Sequence, residues 1–167
     1  NAEVHELWEK VFEQELDGRP VTRVICTHMH PDHIGQAGLI TERYRCPLLM
    51  SRAEYFQARA FSGGGHFAAW QSEAFYRDHG MPDDALQALL EHGRRRRSGG
   101  DTAPDADGYR APVLPQGYTR LRDGQVLTIG ERDWRVVVGS GHSPEHVCLY
   151  CHSAGVMISG DQVLPVI

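Results

Sequence analysis

Lysine is almost missing from this chain of 167 residues: Lys10 is the only one, and the other basic residues are arginines. Acidic residues outnumber basic ones, leaving a net charge of −5. That balance argues against a protein held to nucleic acid by a general excess of positive charge. Long apolar runs are missing too. None approaches the roughly 20 residues a membrane span requires, and the first residues lack the apolar core of a signal peptide. A cytoplasmic protein with no membrane partner is therefore expected. No internal repeat is present.

Cysteine is sparse, and its placement speaks against disulfides. Cys26 and Cys148 fall inside apolar, strand-like runs, where a free thiol behaves as a small hydrophobe. Cys148 and Cys151 spell C-x-x-C, but on a strand positions three apart face opposite sides, so the two sulfurs cannot share a bond or an ion. A reducing setting accounts for all four cysteines.

The hydrophobic fraction of 41% and the charged fraction of 23% are ordinary for a globular protein. The length suits a single domain over residues 1–167. Val4, Leu7, Trp8, Val11, Phe12 and Leu16 recur at helical spacing, so residues 2–16 read as an amphipathic helix ended by Asp17-Gly18. Val21 to Thr27 reads as a buried strand, Gly35 to Tyr44 as a helix, and Leu48 to Met50 as a second buried strand. Ser51-Arg52-Ala53-Glu54 has the form of a capping box. It opens a helical block at about 51–95, with helices to about Phe61, to about His79, and from Ala85 to His92. This block reads as an insertion over one edge of a sheet, and with the loop after it the insertion spans 51–108. Arg94 to Gly108 has no periodicity and is expected to be a mobile loop. Four short β-runs follow: Val126–Ile129, Trp134–Val138, Val147–Cys151 and Val156–Ser159. The whole is an α+β pattern.

The densest chemistry lies in Thr27-His28-Met29-His30-Pro31-Asp32-His33-Ile34-Gly35. Three imidazoles and a carboxylate occupy six positions straight after an apolar run. Such groups are costly to bury unless something binds them, and a divalent cation is such a partner. His28 and His30, two apart on extended backbone, point the same way. Asp32 and His33 follow where a helix begins, which would set backbone N–H groups and a positive dipole end beside the site. Two other strand ends deliver the same residue types: Gly141-His142-Ser143-Pro144-Glu145-His146, and Gly160-Asp161.

These stretches resemble the metallo-β-lactamase superfamily, in particular its branch of hydroxyacylglutathione hydrolases and β-lactamase-like proteins. The resemblance rests on His28-x-His30-x-Asp32-His33, on Gly141-His142-Ser143-Pro144 with His146, and on Ser159-Gly160-Asp161. It implies an αβ/βα sandwich with metals at one edge. Carried onto this sequence, it puts His28, His30 and His142 on a first metal, Asp32 and His33 on a second, and Asp161 between them. His146 would support the site from beneath. The family also has strands before residue 1, and a last histidine for the second metal, here expected beyond Ile167. The chain is thus expected to be part of a larger domain.

The implied chemistry is hydrolysis of a small acyl substrate (thioester, lactone or ester) by a metal-bound hydroxide. Asp32 would orient the nucleophile or take its proton. One or two zinc ions would serve, with manganese or iron as other choices for the carboxylate-containing site. A nuclease or phosphodiesterase on the same centre, a mononuclear iron dioxygenase, and a non-catalytic module pairing with another copy are the other readings. Phe56, Phe61, Phe67, Trp70, Phe75 and Tyr76 could pack the insertion or wall a lid over the metals. Arg94 to Arg97 could be a solvated run or a guide for an anionic substrate, while His66, His79 and His92 read as surface residues.

Overall fold

The computed structural model describes residues 2–62, 69–98 and 114–165. Helix α1 (Ala2–Gln14) is followed by β1 (Val24–Ile25), α2 (Pro31–Ile34), α3 (Ala37–Tyr44) and β2 (Leu48–Met50). Next come α4 (Arg52–Ser62), α5 (Ala69–Asp78) and α6 (Asp83–Ser98). The second half is β3 (Thr119–Arg120), β4 (Val126–Ile129), β5 (Arg132–Gly139), β6 (His146–Cys151) and β7 (Val156–Ile158), with a 3-10 turn at Gly160–Gln162. Among the described residues no helix is long and apolar enough to cross a membrane.

The strands form two sheets. β1, β2 and β3 lie parallel in that order, with Ile25 opposite Leu49 and Leu49 opposite Thr119. β4 to β7 form an antiparallel meander, started by a two-residue loop between paired Ile129 and Arg132. Gly130 supplies the left-handed backbone that this loop needs, at φ +62°. Alternation along β1 and β2 then sorts the apolar side chains into two cores. Val24, Cys26, Leu48 and Met50 meet Ile34, Ala37, Tyr55 and Ala58 of the helices. Ile25 and Leu49 instead meet Leu127, Val136, Val147 and Leu149 of the second sheet. Helices, first sheet and second sheet are thus successive layers, and the α+β expectation holds.

Four local expectations change. β1 is shorter than Val21–Thr27, because its ladder stops once Cys26 N–H has bonded Leu49 O. Thr27 then turns to the other sheet, its carbonyl accepting Val147 N–H at 2.8 Å. The helix expected over Gly35–Tyr44 begins at Ala37, and a separate short helix, Pro31–Ile34, precedes it within the histidine motif, with Gly35, where a Cβ would stand 2.6 Å from Pro31 O, and Gln36 between the two. The Ser51–Glu54 capping box does not form: Ser51 Oγ is buried without a partner, and the Glu54 carboxylate turns inward. Finally, α6 continues through Arg94–Arg97 to Ser98, since arginine is a good helix former and this run continues the turn below it. The rest of the loop expected to Gly108 lies outside the described residues, as do His66 and Phe67.

α1 is attached chiefly through Phe12, which is buried, packs edge-on to Tyr44 and lies under the Arg43 guanidinium. Arg43 also pairs with Glu9 across the same contact. Leu7 and Val11 of the apolar stripe remain exposed.

Candidate metal centre

Three segments meet at one rim. The turn after β1 brings His28 and His30, the loop between β5 and β6 brings His142, and the 3-10 turn after β7 brings Asp161. His28 Nε2 is 2.9 Å from His30 Nδ1, His142 Nε2 is 2.9 Å from that same atom, and the two Nε2 atoms are 3.1 Å apart. Each ring nitrogen must act as donor or acceptor. In a triangle two of them must share a role, so hydrogen bonds alone cannot satisfy all three contacts. A cation satisfies them together: ligands about 2.0–2.1 Å from a tetrahedral zinc stand about 3.3 Å from one another. Asp161 Oδ2 approaches from the remaining side, 3.3 Å from His142 Nε2 and 3.8 Å from His28 Nε2. The donor set therefore fits a metal ion.

A second group adjoins the first. Asp161 turns its other oxygen, Oδ1, to His33 Nε2 at 3.2 Å, and His33 Nε2 is 3.6 Å from Asp32 Oδ2. Asp32, His33 and Asp161 could hold a second ion between them. The Asp32 side chain is 77% exposed against 21% for Asp161, so the first is open to incoming molecules and the second lies between the two groups. The backbone N–H groups expected at the helix start are largely used. Pro31 has none, and those of His33 and Ile34 both bond His30 O at 3.0 Å.

Burial tunes the histidines. His28 is fully buried, and desolvation pushes it down from 6.5 to about 4, helped by the neighbouring His33, His146 and His30 and opposed by Asp161. It is thus a neutral imidazole with a free lone pair at neutral pH. With Nε2 in the triangle, its Nδ1 carries the proton and donates to Thr27 Oγ1 at 3.0 Å. His146 belongs to neither group. Its ring stacks on that of His28 at 4.6 Å, and its Nε2 accepts the Asp161 N–H at 3.2 Å. Burial also lowers the basicity of His146 and keeps it an acceptor.

Sequence reasoning missed Glu54. This carboxylate is fully buried and bonds the backbone of both histidine-bearing loops, at Met29 and at Glu145. Its S-x-x-E setting reads as local capping, and the only hint was a second acidic residue, Glu145, inside the other motif. Of the aromatics of α4 and α5, Phe56 and Phe75 are each 56% exposed and Phe61 48%. Tyr55, which the sequence did not single out, is the aromatic buried in the helical core, while Phe56 packs edge-on to Tyr118 and Phe75 stacks on His79. His79 and His92 are exposed and outside both groups.

Comparison with known proteins places these features in one family. The metallo-beta-lactamase superfamily matches the chain over residues 3–167. The fold is similar to the crystal structure of a beta-lactamase domain protein from Burkholderia ambifaria, with a TM-score of 0.71 and 40% identity over 96% of this chain and 42% of that one. It is also similar to a metallo-beta-lactamase family protein from Thermus thermophilus, with a TM-score of 0.60 and 26% identity over 88% of this chain and 42% of that one. An uncharacterized protein of Aquifex aeolicus (strain VF5) is 24% identical over 153 residues, which are 92% of this chain and 54% of the relative. The chain thus spans about half the length, or less, of these relatives.

Proposed function

The chain belongs to the metallo-beta-lactamase superfamily, and on that premise we propose that it carries the metal-binding part of a hydrolase acting on a small acyl compound, a thioester, lactone or ester. The observation that carries the reading is the nitrogen triangle of His28, His30 and His142, closed by Asp161. A divalent ion held there would lower the pKa of water toward about 7 and polarise a carbonyl oxygen that gains charge. Imidazole donors suit zinc and iron alike, and the carboxylates of the second group admit manganese as well.

The chain's own residues supply the rest. His28, buried and neutral, presents its lone pair without the cost of losing a proton. Asp161 offers one oxygen to each group and fixes their separation. Asp32, exposed and next to His33, would orient the attacking water and accept its proton at a carboxylate oxygen. The exposed rings of Phe56, Phe61 and Phe75 supply apolar surface on the helical block, and the net charge of −5 disfavours a polyanionic substrate. A reducing, cytoplasmic setting is part of the proposal, supported by Cys26, Cys148 and Cys151 as buried free thiols.

The test is elemental analysis of the purified protein together with assays on acyl thioesters, lactones, esters and RNA. Tight metal and turnover of an acyl substrate are expected, both lost in His30→Ala. Undiminished turnover after removal of the metal, or cleavage of RNA alone, would overturn the reading.

A further inference from the structure

Glu54 lies in the first turn of α4, outside both metal-ligand groups, and is fully buried. A carboxylate is costly to bury unless its oxygens are bonded. Both are bonded here, each to a different loop. Oε2 accepts the N–H of Met29 at 2.9 Å, between His28 and His30. Oε1 accepts the N–H of Glu145 at 2.8 Å, in the loop that carries His142. Glu145 answers with its own side chain, whose Oε2 accepts the N–H of Ala53 at 2.9 Å. The start of α4 and the His142 loop therefore exchange bonds in both directions, and from α4 Glu54 also reaches across to the His28–His30 turn.

These bonds sit where the ligand spacing is decided. The histidines of the triangle come from positions more than a hundred residues apart, and the two backbones that carry them need a common reference. We propose that Glu54 is a positioning residue of the metal centre: its two carboxylate oxygens hold the His28–His30 turn and the His142 loop at the separation a single cation requires. The inference rests on the metal-binding reading of this site and is independent of the substrate.

The isosteric change Glu54→Gln separates this role from simple packing. An amide accepts on one atom and donates on the other, so it can serve only one of the two backbone N–H groups. Its NH2 must then face the second N–H, and one ligand loop is pushed away. Supporting groups of this kind alter metal affinity by about 10–100-fold. The zinc-loaded protein titrated with a competing chelator should show a loss of that size in Glu54→Gln. The cobalt(II)-substituted protein should also show a shifted visible absorption band, because the imidazole geometry around the ion has changed.

Val136→Ala, in the core between the sheets, is the control for general destabilisation. It should lower the melting temperature and leave both metal readouts in place. If Glu54→Gln does not fold, Glu54→Asp takes its place. It keeps the charge but is one methylene shorter, so its carboxylate cannot span both N–H groups, and a zinc affinity several-fold weaker is expected. A Glu54→Gln protein with unchanged chelator competition and an unchanged cobalt band would overturn the proposal, as would losses no larger than those of Val136→Ala. So would an unaltered zinc affinity in Glu54→Asp where that variant is the one tested. If the unsubstituted protein itself retains no zinc or cobalt, the metal-centre reading falls and takes this one with it. If it retains them and Glu54→Gln does so equally, only the role of Glu54 is lost.

Discussion

A Cβ on Gly160 would stand 2.6 Å from Cε1 of His146 and 2.7 Å from its Nε2, so the glycine backbone and the imidazole lie in direct contact. The ring cannot retreat, because it is stacked on His28 on one side and accepts the Asp161 N–H on the other. Gly160 also has a φ of +49°, which side chains other than glycine's adopt at a cost. Gly160→Ala is therefore expected to destabilise the protein by about 1–3 kcal/mol. It should also displace Asp161, the next residue, and weaken metal retention. Thermal melts with and without zinc check both effects, and wild-type behaviour in each would show that the contact relaxes freely.

The metal-free protein should be sensitive to mild acid. His28 is held from its ordinary 6.5 down to about 4, and His146 is lowered as well, both mainly by burial. Between those values the unfolded chain takes up a proton at His28 that the folded chain refuses. Stability linked to this group is then complete above about pH 6.5 and declines as the pH falls toward 4. Urea unfolding of the chelator-treated protein across this range should show the loss, and His28→Gln should flatten it. A curve that is equally steep in the variant would assign the acid sensitivity to other groups.

How far the sequence reached depended on whether a residue's partners were its neighbours. His28, His30, Asp32 and His33 stand out because they crowd six consecutive positions, and the glycines at 141 and 160 mark the turns that bring His142 and Asp161 to the same rim. The α+β order was legible because β2 and the strands of the second sheet are short apolar runs set off by turn residues, whereas the layered arrangement was legible only through the family resemblance. Glu54 was not legible: its bonds reach 25 and 91 residues along the chain, while its own neighbourhood spells a common local motif. The end of β1 was hidden for the same reason, since Thr27 leaves its strand for a partner on β6. The Arg94–Arg97 run was read as loop because it has no apolar periodicity, although arginine is a good helix former without it.

Tyr55 anchors the segment that leads into β3. Its hydroxyl lies 2.8 Å from both Pro115 O and Gln116 O, and its ring stacks on Tyr118 at 3.9 Å. One O–H cannot donate fully to two carbonyls, so the bond is shared, with Arg59 adding its own N–H to the same hydroxyl at 3.3 Å. Tyr55→Phe keeps the stacking and removes only this polar clasp. A loss of about 1–2 kcal/mol is expected, with little change in metal affinity, because Tyr55 touches neither ligand loop by any bond described above. Faster amide exchange at residues 114–118 would locate the effect, and an unchanged exchange pattern would count against it.

Asp161 and Asp32 should answer the same substitution differently. Asp161 shows Oδ2 to the His142–His28 side and Oδ1 to His33, whereas Asp32 pairs with His33 and belongs to the second group alone among the described residues. An asparagine keeps one acceptor oxygen and replaces the other by a donor. In Asp161→Asn one of the two groups must therefore lose its carboxylate oxygen, and metal retention should fall by about 10-fold or more. In Asp32→Asn the nitrogen triangle and Asp161 are untouched, so the tightest metal should remain. If Asp32 takes the proton of the attacking water, turnover nevertheless drops by about 10²–10⁴-fold. Metal content after dialysis and kcat, measured side by side on both variants, separate the two roles. Equal loss of metal in the two would mean that Asp32 holds the tightest ion as firmly as Asp161 does. Full activity in Asp32→Asn would remove it from the proton transfer altogether.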